Sequence, residues 1–166
     1  LKKIKKPSFL RNIDVRLVFC LKFFIIFFGF SFILEQINLS FFTNYLTFLI
    51  STIMSLPYNS NVIFAGKNFI ITNICTGLTT VSILAATIFS MRKPQLKNKV
   101  VLFLFGSIII LLVNIPRIIL VIYSHLYGFD SELVHVLTWF VMSGVVLFIV
   151  IIGLRNYYKK ELVDML

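Results

Sequence analysis

The chain has 166 residues, of which 59% are hydrophobic and 19 are Phe, with a mean hydropathy of +0.99. A soluble globule of that composition would leave too much apolar surface in water, so a single membrane domain over 1–166 is expected instead. The net charge of +10 sits beside apolar runs, as in the cytoplasmic loops of membrane proteins, and does not point to nucleic acid.

In chain order, a basic stretch over 1–16 (Lys2, Lys3, Lys5, Lys6, Arg11, Arg16) precedes an apolar run over 17–34. That run is close to the roughly 20 residues that span a hydrocarbon core of about 30 Å. It is too long for a signal peptide and has no small-residue cleavage site, so none is expected. Lys22 lies one turn inside, placed to snorkel back to the basic side. Over 40–56, Ser40, Asn44, Thr47, Ser51 and Ser55 recur every three to four residues, with Phe41, Tyr45, Phe48 and Ile53 opposite. This pattern predicts an amphipathic helix lying at the interface or on the bundle, stopped by Pro57. Residues 61–74 read as a short β-hairpin turning at Ala65-Gly66-Lys67-Asn68.

A second span is predicted over 75–91, its Gly77, Ser82, Ala85 and Ala86 suited to close helix packing in lipid. A third, over 100–127, carries Pro116, which should kink it or split it in two. A fourth covers 133–154. The fold class is therefore an all-α integral membrane protein of about four spans, with an extracytoplasmic amphipathic helix and hairpin.

Fourteen of the 16 Lys and Arg fall in the N-terminal segment, the 92–99 loop and the C-terminal tail. These groups share one side only if 40–56 does not span. Both termini are then cytoplasmic, in the cell (plasma) membrane. At 1.5 Å per residue, Arg117 lies about 25 Å above the inner start of its span. Cys75 and His135 open their own spans at the same outer level.

A thiol, a guanidinium and an imidazole at one depth make a candidate nucleophile site, since ionisable groups in a membrane are functional by default. A helix N-terminus and cationic neighbours favour the thiolate, the reactive form. His135 is placed to take the thiol proton and return one to a leaving amine. Arg117 is placed to hold the thiolate or an oxyanion, with Asn114 one turn below to orient it. The blander readings are a small buried hydrophobe for Cys75, which also serves for Cys20, and a headgroup anchor for Arg117. Trp139 and Tyr127 read as packing or interfacial belt residues, and His125 and Lys67 receive no role. Without a C-x-x-C pair, redox exchange is disfavoured. A non-enzymatic membrane protein, a transporter subunit or assembly factor with a polar Asn114/Arg117 pathway, is the competing class.

Cys75-Thr76-Gly77 after a hairpin, then Asn114-x-x-Arg117, then His135 at the start of a helix resembles the exosortase/archaeosortase family of membrane-embedded transpeptidases. The resemblance covers roughly 40–155. The Thr of Cys-Thr-Gly is similar to archaeal members and the His to exosortases, so archaeal or bacterial origin stays open. The chain is expected to do without the extra N-terminal spans of many members. The resemblance implies that Cys75 is the nucleophile of a cysteine protease, with Arg117 and His135 completing the catalytic set and Asn114, Thr76 and Gly77 in support. It implies secreted substrates with a C-terminal sorting signal: a motif, one transmembrane helix and a basic tail. A Cys75 thioester would pass to the amine of a membrane lipid or other surface component, with no metal or cofactor.

This topology predicts that a membrane-impermeant thiol reagent applied from outside labels Cys75 and spares Cys20. Labelling of Cys20 instead, read by peptide mass mapping, would reverse the sidedness.

Overall fold

The computed structural model describes residues 15–157. The expected cytoplasmic basic residues Lys2 to Arg11, and Lys159 and Lys160 of the tail, lie outside the described residues.

Five α-helices and a small sheet follow in order: α1 (Val15–Gln36), α2 (Ser40–Met54), β1 (Tyr58–Asn59), β2 (Val62–Ala65), β3 (Lys67–Ile70), a 3-10 turn (Asn73–Thr76), α3 (Leu78–Ser90), α4 (Leu96–Leu126) and α5 (Ser131–Tyr157). Helices α1, α4 and α5 are each long and apolar enough to cross a bilayer. None of the residues of α1 is buried, and Phe24, Phe28 and Phe32 stand more than half exposed. An apolar helix with no buried side chain has lipid as its natural surroundings.

Helix α3 begins at Leu78, later than the 75–91 run suggests, and its 13 residues reach only about 20 Å. It packs against α1, α4 and α5. Most of its residues are buried, among them Ser82, Ala85 and Ala86. Small side chains let the neighbours close in, and lipid supplies no hydrophobic force to do that work. Gly106 of α4 marks one tight junction: a Cβ there would lie 2.7 Å from a Leu84 methyl and 3.0 Å from an Ile149 methyl.

Helix α4 continues through Pro116 as one element of 31 residues and is not split. Pro116 removes one backbone bond, whereas a break would leave several backbone groups unpaired in an apolar setting. Each such group costs several kcal/mol.

The hairpin is tighter than expected and gains a third strand. Ala65 pairs with Lys67 across Gly66 alone, at φ +77°, and β1 pairs with β2. Side chains alternate, so Ile63 and Ala65 are buried and Phe64 is exposed. On α2 the stripe turns inward in part. Thr47 and Ser51 are buried beside Leu46 and Ile50, while Phe41, Tyr45, Phe48 and Ile53 face out. The buried hydroxyls bond carbonyls one turn back, Thr47 to Thr43 at 2.8 Å and Ser51 to Thr47 at 2.7 Å, so they need no water.

These elements make two apolar clusters. One joins α3, α4 and α5 through Leu84, Ile88, Ile110, Met142 and Val150. The other joins α2, the sheet and the C-terminal half of α4 through Ile50, Ile63, Ile118 and Ile122. Asn114 and Arg117 of α4 fall between Ile110 and Ile118, at the boundary of the two.

Gly106→Val forces methyl groups into Leu84 and Ile149, and overpacking of this kind costs about 1–3 kcal/mol. A lowered thermal unfolding midpoint in detergent is expected; an unchanged one would refute the close approach of α3, α4 and α5.

Candidate active site

Asn114 and Arg117 are three residues apart on α4 and therefore share a face. Both are buried, at 1% and 8% exposure, so their polar atoms must find partners inside the protein. Arg117 donates from Nη1 to Asn114 Oδ1 (3.1 Å) and from Nε to Thr138 Oγ1 (3.2 Å). Its Nη2 lies 3.5 Å and 3.4 Å from the two ring nitrogens of His135, and the guanidinium stands 5.1 Å from the Trp139 ring centre. An amide, a hydroxyl, an imidazole and an indole face thus hold it. None of these offers an anion, so the positive charge is positioned but not neutralised.

His135, Thr138 and Trp139 occupy one face of the first turns of α5. Thr138 Oγ1 donates to the His135 carbonyl at 2.7 Å, and Trp139 Nε1 donates to His135 Nε2 at 3.1 Å. An indole N–H can only donate, so Nε2 must be the accepting nitrogen and a neutral ring carries its proton on Nδ1.

Cys75 does not open a helix, as the sequence suggests, but lies in the 3-10 turn ahead of it. Its N–H donates to the Thr72 carbonyl (2.9 Å), and its Sγ is 3.5 Å from Thr72 Oγ1. Asn114 Nδ2 donates to the Cys75 carbonyl at 2.7 Å, so one amide joins the cysteine turn to Arg117.

Thr76 and Gly77 build the turn. Thr76 Oγ1 donates to the Asn73 carbonyl (2.5 Å) and accepts from Leu78 N–H (3.4 Å), tying the turn to the first residue of α3. Gly77 has φ +83°, and a Cβ there would sit 3.1 Å from Asn114 Cγ. Backbone conformation and the closeness of Asn114 both call for glycine.

Cys75, Arg117 and His135 line a single cavity of about 210 Å³, walled otherwise by apolar groups such as Phe69, Ile71 and Ile122. Lys67 lies over the Phe69 ring (4.9 Å) and donates to Ser131 Oγ (3.1 Å), tying the hairpin to the start of α5. His125 packs edge-on against Phe69 and is not part of the cavity wall. A larger groove of about 720 Å³, almost wholly apolar, runs between the C-terminal end of α4 and the N-terminal end of α5 past Tyr123, Leu137 and Thr138. It holds none of the reactive groups, so the smaller cavity is the chemical candidate.

The sequence reading missed the parts played by Thr138 and Trp139. Their signal was present: they stand three and four residues after His135, the spacing that puts side chains on one helical face.

A probable archaeosortase D from Methanocaldococcus jannaschii is 32% identical to this chain over 134 residues, 80% of this chain and 85% of that protein. No protein-family model matches the chain. No solved structure matches it either.

Trp139→Phe keeps a ring and removes the donor to Nε2. In protein carrying 15N-histidine and His125→Gln, the His135 signals are expected to change from the Nδ1–H tautomer to a mixture. Persistence of a single Nδ1–H tautomer in Trp139→Phe would refute the indole's hold on the ring.

Proposed function

This chain belongs to the archaeosortase/exosortase family of membrane transpeptidases, and from that we propose that it is a cysteine transpeptidase whose nucleophile is Cys75. One observation carries the reading: a thiol, an unneutralised guanidinium and an imidazole line one cavity of about 210 Å³.

The substrate is a secreted protein whose C-terminal sorting signal (a motif, a transmembrane helix and a basic tail) brings its scissile peptide bond to this cavity from the bilayer. The Cys75 thiol gives its proton to His135 Nε2, displacing the indole N–H, and the sulfur attacks the carbonyl carbon. The carbonyl electron pair moves to oxygen, where Arg117 stabilises the negative charge. As the carbon–nitrogen bond breaks, the departing amine takes the proton from His135, leaving a thioester on Cys75. The acyl group then passes to an amine of a lipid or other surface component.

Asn114 acts through others, holding the Cys75 carbonyl and the guanidinium at once. Trp139 and Thr138 set the ring and the fork in place. Arg117 needs this support because an ion moved from water into the protein interior loses several kcal/mol of solvation.

The site belongs on the extracytoplasmic face, with both termini in the cytoplasm. That topology asks α3 to cross with α1, α4 and α5, despite its length. A short helix enclosed by protein can do so, because its end groups are met by neighbours such as the 3-10 turn and Lys99. The Lys99 ammonium bonds the Met91 carbonyl just past the α3 C-terminus. A polar pathway through Asn114 and Arg117 has less behind it: both side chains are buried and bonded, and the family is enzymatic.

Mass spectrometry of the Cys75 peptide, from cells co-expressing a signal-bearing substrate, is expected to show an acyl adduct that Cys75→Ala abolishes along with processing. Loss of one oxyanion donor typically costs on the order of 10²–10³ in rate, so Arg117→Lys should slow processing to that extent. Processing that continues in folded Cys75→Ala protein would overturn the proposal.

A further inference from the structure

A second, smaller cavity of about 80 Å³ lies where the outer end of α1 meets the 3-10 turn and the start of α3, and it shares no lining residue with the first. Five of its nine lining residues are polar, Ser31 and Glu35 from α1, Asn73 from the turn, and Thr79 and Ser82 from α3, and the rest are leucines and Ile74. Ser31 and Glu35 are four residues apart, so they stand on one helical face. The Ser31 Oγ is buried without a hydrogen-bond partner among the described residues. An orphaned buried hydroxyl of this kind is costly, and a ligand that pairs with it would recover that cost.

The charge pattern names the ligand. Among the described residues the carboxylates are Glu35, Asp130 and Glu132. Asp130 Oδ1 is occupied, accepting from the backbone N–H groups of Glu132 and Leu133 at the start of α5. The reactive cavity holds Arg117, with Lys67 over its Phe69 wall, and both repel a cation. Glu35 instead lies beside Asn73 and Ile74, whose backbone runs directly into Cys75. A liquid water occupies about 30 Å³, so the cavity has room for an ammonium head and the carbon that bears it. A carboxylate with several hydroxyl and amide acceptors suits a primary ammonium, which brings three donors and one positive charge.

We propose that this cavity binds the ammonium group of the amine that removes the acyl chain from Cys75. The proposal rests on the transfer reading above and adds where the second substrate docks. The bound ammonium gives one proton to the Glu35 carboxylate and becomes a nucleophile. The neutral amine then leaves this cavity past the Asn73-Ile74-Cys75 turn and its nitrogen attacks the thioester carbonyl in the first cavity, the carbon–sulfur bond breaks, and the electron pair leaves on the Cys75 sulfur. The nitrogen loses its second proton to His135, and an amide results. The amine comes from a lipid headgroup or from a small soluble molecule, since both present the same group.

The test uses the full chain in vesicles with a signal-bearing substrate, and reads the fraction of Cys75 thioester that ends as amide and not as free acid. One arm supplies phosphatidylethanolamine vesicles, the other phosphatidylcholine vesicles with soluble ethanolamine. Glu35→Gln is expected to lower the amide fraction at least ten-fold, Ser31→Ala several-fold, and Glu35→Asp to restore part of it. A loss in the first arm identifies a lipid amine, a loss confined to the second a soluble one, and either supports the site. Thioester that partitions in both arms without regard to Glu35→Gln overturns this proposal alone. A wild-type protein that forms no thioester overturns the transfer reading, and this proposal with it.

Discussion

The organising constraint is a guanidinium buried inside an apolar bundle with no anion among the described residues that hold it. Arg117 is held by Asn114, Thr138, His135 and the face of Trp139, which give each of its three nitrogens a partner and bring no anion to its charge. Hydrogen bonds to charged groups contribute about 1.5–3 kcal/mol each, and a cation over an aromatic face about 0.5–2. Such partners keep the arginine in place without cancelling its field. In a low-dielectric cavity that field acts strongly on any negative charge that develops nearby.

The surrounding architecture serves that placement. Two apolar clusters, one among α3, α4 and α5 and one beneath α2 and the sheet, meet at the level of Asn114 and Arg117. The polar residues are thus confined to one layer, where each can reach a partner on another element. Asn114 is the joint: one end of its amide grips the cysteine turn and the other the guanidinium. Gly77 makes this joint possible by adopting a left-handed conformation and by having no side chain to push Asn114 away. The hairpin and Lys67 close over the outside, with Phe69 as a wall shared by cavity and lid.

Much of the polar cluster around the cavity was legible in the primary structure because a bilayer penalises polar side chains so heavily. In runs as apolar as 100–127, an Asn and an Arg three residues apart stand out against their background. Local geometry was less legible. The Cys-Thr-Gly run looked like the first turn of a helix, but Gly77 at φ +83° separates a 3-10 turn from α3. Trp139 read as a belt residue because aromatic side chains are common at membrane interfaces. Four residues along α5, its indole N–H falls on His135 by helical spacing, and only the packing of α5 against α4 turns its face onto Arg117. Pro116 was expected to kink its span or split it in two; it does not split it, because helix continuity prevails where unpaired backbone is so costly.

From the sequence alone came the solvent, the helical class and the identity of the exceptional residues, because these follow from composition and periodicity within single segments. Tertiary structure decided which of those residues meet, since Cys75, Arg117 and His135 belong to elements far apart in the chain. It also decided what surrounds them. The aromatic face under the Arg117 guanidinium, the amide that joins turn to guanidinium and the carboxylate-lined cavity under α1 all arise from contacts between segments, which no single run of residues encodes.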